Sequence, residues 1–166
     1  MKRLSILILT MLALRGFMAM TVRAANPHFI YCNASGVNDD GTLNVCFKIA
    51  GLGANETLTI TASATADAVY ACLNHGQNCP NAANKREEHG NVSSSGTFTS
   101  GRNGQITGCL TVEPPATTLM CPGNQQVVLT SVRYTGVSVS APGVPGPCVP
   151  TPEDFVARFY PQCPGF

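Results

Sequence analysis

Charge is what this sequence has least of. Asp, Glu, Lys and Arg make up 11% of its 166 residues, and the longest basic runs are the pairs Lys2-Arg3 and Lys85-Arg86. Without a basic patch there is no electrostatic footprint for nucleic acid or anionic lipid. Tryptophan is absent altogether. No stretch beyond about three turns carries clean helical periodicity, so a helical bundle is excluded. Past residue 24 no apolar run is long enough to cross a membrane. The ending Pro161-Gln162-Cys163-Pro164-Gly165-Phe166 lacks the hydrophobic tail of a lipid-anchor signal. Nucleophile elbow, zincin helix and phosphate loop are also missing.

What is present begins with an export signal. Lys2 and Arg3 precede a nearly continuous apolar run from Leu4 to Leu14, and Val22-Arg23-Ala24 supplies small residues at −3 and −1. A basic start, a short greasy core and such a boundary are what signal peptidase reads, so residues 1–24 are expected to be a signal peptide. Four basic residues (Lys2, Arg3, Arg15, Arg23) lie in that segment and no acidic one does. The remaining chain, 25–166, therefore carries six positive and nine negative side chains, a formal charge of −3, against +1 for the whole sequence. Its length suits a single domain with a real core, ending in a Pro/Gly-rich tail from 141.

Eight cysteines follow the signal: Cys32, Cys46, Cys72, Cys79, Cys109, Cys121, Cys148 and Cys163. No two have the close spacing of a zinc site, and export favours disulfides over metal. No metal or cofactor is expected. Eight cysteines allow about 105 connectivities. Their order points to local bridges, 32–46, 72–79, 109–121 and 148–163. A hairpin centred on Asp39 would set Cys32 opposite Cys46, Tyr31 opposite Phe47 and Phe29 opposite Ile49.

The rest reads as strands. Leu43, Val45, Phe47 and Ile49 alternate with polar residues after the turn cluster Asn38-Asp39-Asp40-Gly41. Thr57 to Ala66 is the clearest pattern, with Leu58, Ile60, Ala62, Ala64 and Ala66 on one face and Thr57, Thr59, Thr61, Ser63 and Thr65 on the other. The alanines imply close approach of another layer. Val92–Thr99 and Gln105–Val112 flank Gly101-Arg102-Asn103-Gly104, which predicts a hairpin. Asn81 to Gly90, with Lys85-Arg86-Glu87-Glu88-His89, reads as an exposed loop. Gln126 to Ser140 is a long strand bent at Gly136. Thr151-Pro152-Glu153-Asp154 has the capping chemistry of a short helix carrying Phe155 and Phe159 to Pro161.

Six to eight such strands predict an all-β fold, an antiparallel β-sandwich stabilised by disulfides with one short C-terminal helix; a barrel or jelly roll is the alternative. Asp67-Ala68-Val69-Tyr70-Ala71-Cys72 resembles the strand-F signature of immunoglobulin variable domains, with Tyr70 two residues before Cys72. In overall layout the chain resembles small secreted immunoglobulin-like β-sandwich proteins of unknown function. The resemblance covers about six residues and lacks the core tryptophan. It implies a Cys72 bridge across two sheets, in competition with the local pattern.

Candidate chemistry is sparse. His28, His75 and His89 are scattered, and Asp39-Asp40-Gly41 lacks the alternating ligands and closing Glu of a calcium loop. Asp67, Glu87, Glu88, Glu113 and Asp154 are available as carboxylates without convergence in one dimension. Asn33, Asn55 and Asn91 head sequons for N-glycosylation. The expectation is a secreted, extracellular, monomeric binding module without catalysis, whose partner is an extracellular protein or glycan. Its working loops would be Asn74–Glu88 or Pro114–Asn124. The alternatives are a secreted hydrolase or hydrolase inhibitor, and a structural protein of a cell wall or coat.

Overall fold

A computed structural model describes residues 26–79, 84–163 and 165. The signal segment 1–24 and the start of the 81–90 stretch lie outside them. Among the described residues there is no α-helix; the chain forms two antiparallel sheets. Sheet 1 has the order β1-β2-β5, from His28–Val37, Leu43–Ala50 and Ile106–Val112. Sheet 2 has the order β4-β3-β6-β7, from Lys85–Thr99, Thr57–Leu73, Gln126–Ser140 and Phe155–Arg158.

The inner faces share one core. Leu43, Val45, Phe47 and Ile49 of β2 are fully buried, as are Ile60, Ala62, Ala66 and Ala68 of β3. Alternation along a pleated strand puts exactly these residues on one side. The small β3 side chains leave room for large ones. Phe98 of β4 meets Phe47 edge-on, with ring centroids 5.2 Å apart. It fills the space a Cβ on Gly108 would need. Gly108 pairs with Phe47 across β2 and β5, so an aromatic ring from the other sheet covers the gap in the ladder. Tyr134 of β6 is wholly buried, and its hydroxyl donates to the Gly41 carbonyl at 2.8 Å, tying sheet 2 to the β1–β2 turn.

The long strand Gln126–Ser140 forms with the bend expected of it. Gly136 has φ +61°, and the β3–β6 register shifts beside it between Ser63 and Thr65. The buried side chains change phase there, from Thr130, Val132 and Tyr134 to Val137 and Val139.

The Gly101–Gly104 turn forms, yet it does not make a hairpin. β4 lies in sheet 2 and β5 in sheet 1. The turn is a corner between layers, lying against the β2–β3 connector, where the Leu52 N–H donates to the Gly104 carbonyl at 3.0 Å. Buried Ser100 fastens the two crossings by donating to the Gly53 carbonyl and accepting from the Glu56 N–H. Asn-Gly chemistry fixes a turn, not the partners of the strands it joins.

The expected C-terminal helix is likewise replaced by a strand. Phe155–Arg158 pairs with β6, Tyr134 opposite Phe155 and Ser131 opposite Arg158. The segment is too short to offset the cost of nucleating a helix, whereas β6 offers it a free edge. Asp154 and Glu153 accept hydrogen bonds from the N–H groups of Gly136 and Val137 instead of capping a helix. Phe155 still reaches the core. The charge cluster read as a loop is strand as well: Lys85 to Gly90 is the first part of edge strand β4. Charge is a common guard on a free sheet edge.

All eight cysteines are bonded, but not to their nearest neighbours. The bridges are Cys32–Cys148, Cys46–Cys109, Cys72–Cys121 and Cys79–Cys163. The β1–β2 register explains the first correction. Phe29 does sit opposite Ile49, but an irregularity before Tyr31 and another between Ala34 and Val37 shift the pairing, so Cys32 faces Phe47 and Cys46 faces Asn33. Cys32 therefore points to the core and Cys46 to the outer face, where Cys109 is its direct cross-strand partner. A one-residue slip inverts every side chain. Cys32 bonds across the layers to Cys148, whose backbone bridges Val139 of β6. The small loop after Cys72 is closed by Asn74, whose backbone and side chain hold Gln77 and Asn78. That leaves Cys79 for the C-terminal tail and Cys72 for the β5–β6 segment, not for a strand of the facing sheet.

Candidate binding face

Pairing β3 with β4 brings together two hydroxyl-rich faces. Thr57, Thr59, Thr61, Ser63 and Thr65 stand opposite Thr99, Thr97, Ser95, Ser93 and Asn91. On the other side of β3, Ser63 faces Ser138 and Thr65 faces Thr135. The side chains bond across strands: Thr57 to Thr99 at 3.0 Å, Thr61 to Ser95 at 2.8 Å, Ser63 to Ser138 at 3.2 Å and Thr65 to the Asn91 carbonyl oxygen at 3.1 Å. Thr57, Thr59, Ser93, Ser95, Thr97 and Thr99 are exposed. Beside Gly136, Ser63, Thr65, Asn91 and Ser93 line a shallow groove of about 430 Å³. The space at Gly136 is open: a Cβ there would meet nothing within 4 Å.

The hydroxyl array itself carries no charged side chain; charge lies at its margins, with Glu113 beside Ser93 and Ser94 at the β4 edge and a charged group at one end. There Asp67 lies opposite His89 on one side and Arg133 on the other, and the His89 ring nitrogen meets the Asp67 carboxylate. A hydroxyl donates and accepts, so a bonded pair still has capacity for a ligand.

Of the candidate histidines and carboxylates, the structure brings together His89 and Asp67. His28 bonds to the Asn26 carbonyl at 2.9 Å, and His75 lies exposed in the loop after β3. Asp39 and Asp40 form a turn in which Asp40 accepts from the Thr42 N–H and hydroxyl; those bonds hold its carboxyl below the ordinary range. Glu87 and Glu88 pair with Lys85 and Arg86 along β4. The sequon residues Asn33, Asn55 and Asn91 are all exposed, Asn91 at the groove. Among the described residues no group of acidic, histidine or cysteine side chains has the arrangement of a metal site.

The stretch Pro114–Asn124, one of the two expected to carry function, is fastened to β3 and β4, in part by the Cys72–Cys121 bridge; the other lies partly outside the described residues and is strand from Lys85 onward. The Tyr70 hydroxyl donates to the Pro115 carbonyl at 2.7 Å, far along the chain, rather than to a nearby upstream residue as in the immunoglobulin corner. Thr117 donates to Glu88 at 3.0 Å, which with Arg86 lowers that carboxyl's pKa, the threonine bond contributing most. Burial and the charge of Glu88 together raise Tyr70.

Sequence reading found the threonine face of β3 but not its completion. Ser93, Ser95, Thr97 and Thr99 alternate in the same phase, a signal obscured by assigning them to a hairpin with β5. Comparison with protein-family models, curated proteins and solved structures finds no match.

Proposed function

We propose that this chain is a secreted binding module, immunoglobulin-like in layered architecture and without catalysis, that recognises an extracellular glycan through the hydroxyl face of sheet 2. The observation that carries the reading is the neutral array of Thr, Ser and Asn side chains on β3, β4 and β6, bonded across strands and opened by the groove at Gly136. A neutral sugar polymer offers hydroxyls at regular intervals, and each contact exchanges one water hydrogen bond for another at little electrostatic cost. Order matters too, since side chains already held by neighbours lose less entropy when a ligand arrives. The bridges, which fit an oxidising compartment, support the same frame.

The test is retention of the purified domain on insoluble cellulose, chitin and β-1,3-glucan. At least one should hold it. The double variant Ser93→Lys and Thr97→Lys, on exposed positions of an edge strand, should lose most of that retention while keeping the native circular dichroism spectrum. No retention on any polymer, or retention untouched by the lysines, would overturn the reading.

A further inference from the structure

A second groove lies away from the hydroxyl face and has the opposite chemistry. It measures about 460 Å³ and is lined by Asp39 and Asp40 of the β1–β2 turn, Val128 and Leu129 of β6, and Phe159 and Tyr160 after β7. The two aspartates of the turn, Leu129, which reaches the Gly41 backbone, and the aromatic pair Phe159-Tyr160 come together there, and no lysine, arginine or histidine lines it. Its walls are fixed independently of any ligand. The Phe159 N–H donates to the Thr130 carbonyl at 2.9 Å, continuing β7 along β6. The tail beyond is held by the Cys79–Cys163 bridge and by Gln162 donating to the Gln77 carbonyl. The turn is closed by Asn38, which bonds Thr42 through both backbone and side chain. Arg158, the nearest cation in sequence, spends its guanidinium on the Pro161 and Cys163 carbonyls.

We propose that this groove is a docking site for the lysine side chain of a partner polypeptide. The carboxylates attract the ammonium, Leu129, whose side chain reaches the Gly41 backbone of the turn, accepts the butyl stem, and the rings of Phe159 and Tyr160 present π-faces or edges to the cation and its adjacent methylenes. An anion would be repelled by Asp39 and Asp40. A neutral ligand would gain nothing from the two carboxylates. The chain beyond the expected signal carries a net −3, which favours a basic partner at longer range. The site shares no residue with the hydroxyl face, so it stands or falls separately from glycan recognition.

The experiment is an NMR titration of the disulfide-bonded domain with capped tripeptides of glycine-lysine-glycine and glycine-norleucine-glycine, and with cadaverine. The lysine peptide should shift the amides of Asp39, Val128, Leu129 and Tyr160 saturably at millimolar concentration; norleucine should not. Asp39→Asn and Tyr160→Ala should each weaken the lysine peptide about fivefold while the rest of the spectrum stays native. Equal response to norleucine, or no saturable shift in the groove, would overturn the proposal. So would binding of cadaverine without the peptide, which would make the groove a free-amine site.

Discussion

Replacing Cys32 and Cys148 with alanine removes the bridge that joins edge strand β1 of sheet 1 to the segment beside β6 of sheet 2. The whole-chain separation of 116 overstates the loop it closes, because Cys46–Cys109 persists. Through that bond the remaining covalent path runs over 32–46 and 109–148, a ring of roughly 50 residues, and the chain-entropy relation gives a loss of about 4 kcal/mol. Replacing Cys46 and Cys109 opens a shorter ring, roughly 40 residues over 46–72 and 109–121 through Cys72–Cys121, so the entropic loss is similar or slightly smaller, also about 4 kcal/mol. The two variants differ in what the sulfurs touch. Cys32 and Cys148 pack against the core, whereas Cys109 is exposed beside strands already held by a full ladder. Losing core contact adds about 1 kcal/mol to the first variant only. Against a total stability of about 5–15 kcal/mol, the first should be severe. Urea unfolding of the native protein and both variants, followed by circular dichroism, measures this directly. A loss below about 1 kcal/mol for the Cys32/Cys148 pair, or a larger loss for the outer pair, would refute the reasoning.

Gly108→Val should cost about 1–3 kcal/mol, because the new side chain needs the space held by the Phe98 ring; thermal unfolding reads it, and a Phe98→Ala background should relieve much of the loss. Tyr134→Phe should cost about 1–2 kcal/mol by leaving the Gly41 carbonyl without its buried donor. The same hydroxyl predicts alkaline instability. Burial raises the folded pKa of Tyr134 above the ordinary tyrosine value of 10.0, so the unfolded chain loses its proton first and stability falls as pH rises past that point. Tyr134→Phe should flatten the fall. At the other end of the scale, Asp40 and Glu88 have lowered folded pKa values, caused first by hydrogen bonds from Thr42 and Thr117. Their contribution is present above the ordinary carboxylate range and is lost as pH falls through the folded values, so Thr117→Val should weaken the acid dependence of unfolding.

Period-two alternation carried most of the strand content. β3 and β6 follow directly from the Thr/Ala run and from Gln126–Ser140, and the bend at Gly136 needed only a glycine in a long strand. Partners were harder to read. The Gly101–Gly104 turn is a corner because β5 finds β2 and β4 finds β3, a choice made by which apolar faces close the core. Nothing in the turn itself encodes that choice. The cysteine pairing failed for a related reason: irregularities in β1 put Cys32 on the inner face and Cys46 on the outer. A short capped segment became β7 because an edge strand stood beside it. The hydroxyl face was half legible. The threonines of β3 show in one dimension, while their partners on β4 and β6 appear as a surface only once the sheet is assembled.

The most direct test of glycan recognition is a backbone-amide NMR titration of the folded domain with soluble cellohexaose, chitohexaose and laminarihexaose. The account predicts saturable shifts confined to residues 57–65, 91–99 and 135–140 for at least one of them. Shifts centred instead on residues 114–124, or none with any of the three, would contradict it.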